Sequence, residues 1–408
     1  MKRRNVYRVV HIANEALLKG SGFSQQIFME VRELKRQGYD VTVVAFSHIK
    51  YYFKGDLIRK LRAKYGECGI TIYTIPTVFG GRLLLEVVNF PIALAVLTYL
   101  SCIKGCGVLH FHSIGFSLIG LILRRLFAIQ VINDIHGVTI EESIYRNEMR
   151  PGSARHRYSN YQERLTIKHA DINFCVSNKM IAYLAEKHNL HNDRFELTRS
   201  SFDPEIFRDF NFNKKGEAKK CLGLGGRMVF IYMGHKSSWQ LTRKVVEFFS
   251  KLKEHMPEAF MILLSNDLET AQESFERAGL DRNDYIVKYV KHEEVPLYCY
   301  SADLAILIRD DSIVNQVASP VKFSEYLASG AAVLLSPTIG DLPWLVEKYQ
   351  VGFLLSENGL NKESLRQIAE IFASEARRKI LAEKCREFAE RELSVDKTIN
   401  AFRRYYER

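Results

Sequence analysis

The sequence predicts an α/β protein made of two doubly wound parallel sheets facing one another across a cleft. Three observations predict it. Short β-rich runs alternate with helical stretches along the whole chain, which calls for parallel strands joined by crossover helices. Several of those runs, such as "VTVVAF" (Val41 to Phe46) and "MVFIYMG" (Met228 to Gly234), are nearly continuous in apolar residues, as strands buried on both faces are. The chain has 408 residues, 47% hydrophobic and 26% charged with only 9 prolines, enough to bury two cores and far from a disordered or fibrous composition.

Taken in order, Tyr7 to Ile12 is the first strand, Phe23 to Arg36 a helix closed by Gly38 at its C-cap, and Val41 to Phe46 the second strand. "ITIYTIP", a helix over Leu83 to Cys102, "VLHFH", a helix over Leu118 to Leu126, "QVINDIHG", a helix after Asn160 and "DINFCVS" continue the alternation. The polar segment "RDFNFNKKGEAKKCLGLGGR" reads as a linker or a domain entrance. A second series follows: "MVFIYMG", a helix over Thr242 to His255, "AFMILLS", a helix over Glu269 to Ala278, "YIVKYV", a short helix in "EEVPLYCYSA", "DLAILIR", a helix from Pro320 to Ser329, "AAVLLS" and "VGFLL". Two charged helices occupy Ser374 to Arg408. The expected domains are 1–208, 209–385 and a C-terminal helix over 386–408 that packs back on the first.

Charge and cysteine usage narrow the class. A net charge of +11 asks for an acidic partner: nucleic acid, phosphorylated ligand or anionic lipid. No helix-turn-helix, zinc-finger or aromatic RNA-binding pattern is present, so nucleic acid is not expected. The 7 cysteines are odd in number and scattered, as reduced thiols of a cytoplasmic protein are. Cys102 and Cys106 have no histidine at zinc spacing, and no metal site is expected. The apolar run after "MKRRNVYR" is too short for a signal peptide. Two greasy runs, Val87 to Leu100 and Ile114 to Ile129, are too short or interrupted to span a bilayer. Either they pack against the sheet, or they lie on an anionic membrane surface with Arg124 and Arg125 at lipid phosphates.

Doubly wound sheets hold ligands at the carboxyl ends of their strands, where helix N-termini present free N–H groups to anions. The turn "KGSG" lets a phosphate or sugar approach the backbone at Gly22. His136, after an apolar strand and before a glycine, can donate to a ligand oxygen. In the second domain Gly234 gives close backbone access, and His235, with Lys236 behind it, offers donors to a diphosphate. In "ASPVKFSEYLASG", Ser319 is placed to N-cap a helix whose first residue is Pro320 and which Gly330 ends. Lys322 and Glu325, three apart, share a face near its positive end. Arg309 closes the preceding strand, so Arg309, Lys322 and the helix start can converge on one anion. Glu325 can accept both hydroxyls of a ribose, because a carboxylate accepts two hydrogen bonds side by side.

With these residues in view the sequence resembles the retaining nucleotide-sugar glycosyltransferases of family 4, whose two Rossmann-like domains form the GT-B fold. The likeness rests on "GSGFSQQIFMEVRELKRQGYDVTVV", "VINDIHG", "HADINFCVSNKM", "SSFDPEIF", "VFIYMG", "YVKHEEVPLYCYSADLAIL" and "SPVKFSEYLASGAAVLLSPTIGD", the last being the most specific. It implies transfer of a sugar, with retention, from a UDP- or GDP-sugar to a hydroxyl acceptor. It also implies that Glu325 holds the ribose, that the backbone near Val290 and Lys291 meets the base, that His136 touches the donor sugar and that Gly22 lies near the diphosphate. Two departures stand out. The family's carboxylate eight positions before Glu325 is replaced by Val317, and its arginine and lysine after the second-domain glycine are replaced by His235 and by Trp239 or Gln240. Lys322 and Arg309 are therefore expected to supply the missing positive charge at the leaving phosphate. No Asp-x-Asp loop is seen and no metal or other cofactor is expected. The acceptor is expected to be a sugar or lipid-linked saccharide at the inner membrane face, as in bacterial surface-polysaccharide assembly. A catalytically weak scaffold of the same fold and a sugar-nucleotide epimerase are the competing expectations.

Overall fold

The computed structural model describes residues 7–13, 17, 22–53, 55–77, 83–112, 114–208, 210–234, 241–355 and 362–407. They form two compact units, one of 1–199 with 395–408 and one of 200–394. The sequence had put the divisions at 208 and 385. The chain divides earlier at the first point, because Phe202 and Phe207 are buried in the core of the second unit, and later at the second, because Leu393 is buried there too.

The first unit runs β1 (Arg8–Ala13), α1 (Gly22–Arg36), β2 (Asp40–His48), α2 (Gly55–Glu67), β3 (Thr71–Thr77), α3 (Leu83–Cys102), β4 (Val108–Phe111), α4 (Ser117–Leu126), β5 (Gln130–Ile135), α5 (Thr139–Tyr145), α6 (Ala154–His169), β6 (Ile172–Cys175), α7 (Asn178–His188) and β7 (Phe195–Leu197). Its seven strands are all parallel, in the order β3-β2-β1-β4-β5-β6-β7. Strand order therefore reverses between β1 and β4. That reversal opens a crevice at their carboxyl ends, because the connections on either side leave toward opposite faces.

The second unit continues with α8 (Phe212–Cys221), β8 (Met228–Met233), α9 (Thr242–His255), β9 (Ala259–Leu264), α10 (Leu268–Arg277), β10 (Tyr285–Lys288), α11 (Val295–Ser301), β11 (Leu304–Leu307), α12 (Ile313–Gln316), α13 (Val321–Ala328), β12 (Ala332–Leu335), α14 (Leu342–Tyr349), β13 (Gly352–Leu354), α15 (Lys362–Phe372) and α16 (Glu375–Glu392). Its six parallel strands lie in the order β10-β9-β8-β11-β12-β13, with the reversal between β8 and β11. Every residue of β8, β9, β11 and β12 is buried, which is why these strands read as unbroken apolar runs. The last helix, α17 (Val395–Tyr406), belongs to the first unit. It sends Ile399, Phe402 and Tyr406 into the same core as Ile27, Val31 and Val43.

Two sequence expectations are corrected. The polar segment expected to be a linker or a domain entrance is not a linker but contains α8 near the start of the second unit, because Asn211 caps it through its side chain and Lys215 reaches inward to the carbonyl of Ala302 at 2.5 Å. Burial lowers the Lys215 ammonium to about 8. Ser319 is not an N-cap: α13 starts at Val321, the extended Pro320 takes the cap position, and no side chain caps it. The carbonyl of Ser319 accepts instead from the Ser200 hydroxyl at 2.5 Å. Gly330 does end the helix, with φ +69, while Ala331 N–H returns to the carbonyl of Tyr326.

Candidate functional site

In the second unit the candidate residues gather at the reversal point. Met233 ends β8, and one face of α13 grips its peptide groups from both sides. Lys322 donates to the Met233 carbonyl at 2.5 Å, and the Met233 N–H donates to the Tyr326 hydroxyl at 2.9 Å. Residues four apart on a helix lie one above the other, so a single turn supplies both partners. Gly234 follows at once, its N–H bonded to the carbonyl of Leu264 at 2.7 Å.

Arg309, just past β11, approaches the same place. Its guanidinium donates to Asn315 Oδ1 at 3.2 Å, and Asn315 in turn donates to Asp310. Its N–H donates to the Ser336 hydroxyl at 3.0 Å. Burial and the nearby Arg309 charge lower the Lys322 ammonium to about 7, with Glu325 acting the other way. Glu325 is buried one turn further along. Its carboxyl is raised, chiefly by burial and also by Asp203, while His292 and Lys322 oppose the shift. Two cations and a carboxylate thus share one enclosed corner.

Not every expected residue lands there. His235 and Lys236 lie outside the described residues. Both backbone polar groups of Lys291 are engaged by Glu294, whose carboxylate accepts from the Lys291 N–H at 3.0 Å and whose own N–H donates to the Lys291 carbonyl at the same distance. Val317, where a carboxylate was expected, is 2% exposed and closes α12. The chain there is pressed from one side by Gly340: a Cβ on that glycine would lie 2.0 Å from the carbonyl oxygen of Ala318. His292, Asp203 and Tyr326 were not singled out from sequence. Nothing local marks the first two, because only the fold carries them to Glu325.

In the first unit His136 sits just past β5, 16% exposed at its side chain, beside a cluster the sequence reading missed. His11 of β1 pairs in register with His110 of β4, and the rings stack at 4.6 Å. His112 follows β4. Its Nε2 meets His11 Nδ1 at 2.8 Å, and its Nδ1 meets His136 Nε2 at 3.2 Å. Asp134 Oδ2 lies 3.1 Å from His136 Nε2, 3.2 Å from His112 Nδ1 and 3.5 Å from His110 Nε2. Tyr406 of α17 closes the far side at 2.6 Å from His110 Nδ1. Burial lowers the His112 imidazole to about 3 and raises the nearby Glu30 carboxyl to about 8. For His136 burial opposes the charge, but Asp134 and Glu30 outweigh it and raise the pKa. A signal was present: His110 and His112, two apart on a strand, must share a face. Gly22 is the first residue of α1, exposed, with open space where a Cβ would stand.

The sequence profile of Glycosyltransferase Family 4 matches residues 20–205. No curated protein sequence resembles the chain closely enough to count as a match. Among solved structures, a glycosyltransferase from Rickettsia africae ESF-5 superposes with TM-score 0.73 at 15% identity, over 99% of this chain and 98% of that one. Alr3699/HepE from Anabaena, in complex with UDP, does so with TM-score 0.68 at 12% identity, over 97% and 98%. WaaG, a glycosyltransferase involved in lipopolysaccharide biosynthesis, gives 0.68 at 12%, over 97% and 99%. At these identities the superpositions speak for the fold, and the profile for a likeness of residues 20–205 to that family. The two sheets of reversed strand order and the full-length superpositions give this chain the GT-B fold, and its residues 20–205 are similar to Glycosyltransferase Family 4.

Proposed function

We propose that the chain moves a sugar from a nucleotide-diphosphate donor, a UDP- or GDP-sugar, to a hydroxyl acceptor with retention of anomeric configuration. The observation that carries this is the corner at the β8–β11 reversal. Lys322 and Arg309 are close enough to depress the lysine's pKa, and Glu325 is buried a turn away. Two like charges in one enclosed place oppose each other until an anion arrives. A diphosphate is that anion, and Glu325 then takes the ribose hydroxyls.

As the bond between sugar and diphosphate breaks, negative charge grows on the leaving phosphate. Lys322 and Arg309 stabilise that charge more in the transition state than in the ground state, which is what accelerates the step. Gly234 and Ser319 border the diphosphate, and Val290 meets the base, with Lys291 contributing through its side chain because its backbone is occupied. His235 is assigned to the same role by its place in the sequence. From the first unit His136 is proposed to donate to the donor sugar and Gly22 to lie beside the diphosphate. These cations do the work that a metal does elsewhere, so the reading requires none for transfer.

The acceptor is proposed to be a sugar or lipid-linked saccharide of a bacterial surface polysaccharide, presented at the inner face of the membrane. Supporting this, Ile92, Tyr99, Ile103, Ile122 and Leu126 of α3, α4 and the segment just past α3 are exposed. Arg125 is exposed beside them, whereas Arg124 is tied to Asp171 at 2.9 Å. Among the described residues no helix is long and apolar enough to cross a membrane. Contact is therefore proposed to be peripheral, from the cytoplasmic side.

A thermal-shift screen of UDP- and GDP-sugars tests the donor, since a ligand that binds the native state raises the melting temperature. Nucleotide release on adding acceptor supports transfer. Release of none, despite binding, supports the scaffold reading that the loss of the carboxylate at Val317 favours. Conversion of the donor sugar without acceptor supports an epimerase.

A further inference from the structure

The histidine and aspartate atoms at the carboxyl ends of β4 and β5 have a geometry that glycosyl transfer does not call for. His112 Nδ1, Asp134 Oδ2 and His136 Nε2 stand 3.1 to 3.2 Å from one another along all three edges. Donor atoms about 2.0–2.1 Å from a tetrahedral zinc ion stand about 3.3 Å apart, so the triangle has the size of one face of such a site. We propose that these three side chains bind a divalent transition-metal cation of the zinc type, with a fourth position left for water or a ligand.

Three further features fit a metal better than a proton network. Asp134 Oδ2 has three ring nitrogens within 3.5 Å, yet no hydrogen bond of good geometry reaches it. A buried carboxylate oxygen so placed is costly unless something else satisfies it. A metal-bound imidazole usually hands its second N–H to a neighbour, which fixes the ring. His112 is placed to do so: its Nε2 meets His11 Nδ1 at 2.8 Å, His11 Nε2 lies 3.4 Å from the Tyr406 hydroxyl, and that hydroxyl meets His110 Nδ1 at 2.6 Å. The donor set, two imidazoles and one carboxylate, suits zinc-like ions and not calcium or magnesium, which prefer oxygen throughout. His112 and Asp134 are closed off, and the partly exposed His136 gives the ion its way in. The neighbouring trio of His11, His110 and His112 is not an equivalent site, because His11 and His112 are already hydrogen-bonded to each other at less than the distance across a metal.

Binding through Nε2 leaves the Nδ1–H of His136 as a donor, so the metal would fix the tautomer that the donor-sugar role requires. Metal binding needs no nucleotide, so its failure would leave the transfer reading standing, and the reverse also holds.

The test uses the full chain stripped by a chelator and titrated with Co2+, following the visible absorption of tetrahedral cobalt. One equivalent per chain should bind, Zn2+ should displace it, and Zn2+ should raise the melting temperature. His136→Gln should bind at least about a hundredfold more weakly and lose the thermal shift, while the exposed His191→Gln behaves as the parent protein. If His136→Gln does not fold, Asp134→Asn carries the same comparison. A folded, stripped protein that takes up neither ion stoichiometrically, or a folded ligand variant that binds as the parent does, overturns the site.

Discussion

Lys322 and Met233 are joined by a 2.5 Å hydrogen bond from the ammonium to the carbonyl oxygen, and through it α13 is tied to the end of β8 where Gly234 begins. That bond holds the start of the glycine turn in place, and the same ammonium is the one proposed to meet the donor diphosphate.

Replacing Lys322 by alanine removes the tether to Met233 and, on the proposed reading, the stabiliser of developing charge. Turnover should fall by roughly a hundredfold or more, the scale of losing one preorganised donor. Steady-state kinetics on a variant with unchanged circular dichroism would check it. Near-normal turnover would remove Lys322 from the reaction.

Donor binding should depend on pH through the same residue. Lys322 titrates at about 7 without ligand, and a bound diphosphate favours its charged form, so binding takes up a proton above pH 7. Donor affinity should weaken by up to about tenfold per pH unit above 7. In Lys322→Arg, which stays charged throughout, calorimetric titrations at pH 6, 7 and 8 should show that slope flattened.

Stability should move the other way. The folded pKa of Lys322, about 7, lies below the ordinary 10.5, as does that of Lys215 at about 8. The unfolded chain therefore binds more protons across this window, and stability rises with pH from about 7 to 10.5. Denaturant midpoints of Lys322→Met measured across that range should rise less steeply than those of the parent.

Glu325→Gln keeps the size of the side chain but loses the charge proposed to accept two ribose hydroxyls. Nucleotide affinity should drop about 10- to 100-fold, the range of hydrogen bonds to a charged group, with little change in fold. A deoxyribose donor analogue should discriminate poorly against this variant, and an unchanged discrimination would place the ribose elsewhere.

Tyr326→Phe leaves the Met233 N–H without its partner in a buried place. The cost should be about 1–3 kcal/mol, read as a lower denaturation midpoint, and donor affinity should fall with it if the turn loosens.

The alternation of strands and helices, and with it both parallel sheets, was legible in the residues alone, although α2, α7, β7, α14 and α15 were passed over. Unbroken apolar runs such as those of β8 and β9 can be buried only on two faces. Strand ends and the helix that follows one of them were legible too, so that Arg309 and His136 at strand ends and Lys322 and Glu325 on α13 stood out as candidates. Local pattern placed Gly330 at a helix end because only a residue without a Cβ takes φ +69 readily. It misplaced the start of α13 because the Ser319 carbonyl is claimed by Ser200, more than a hundred residues away in the chain.

Every long-range relationship came from the packing of the folded chain. His11 meets His110 and His112 only because β1 lies beside β4, and Tyr406 reaches them only because α17 packs on the first unit. His292 and Asp203 act on Glu325 across comparable spans of sequence or after several intervening turns of chain. A sequence declares which side chains are available and how each segment prefers to coil. Which of them share a low-dielectric corner, and so perturb one another's charge, is fixed only once the strands are in register.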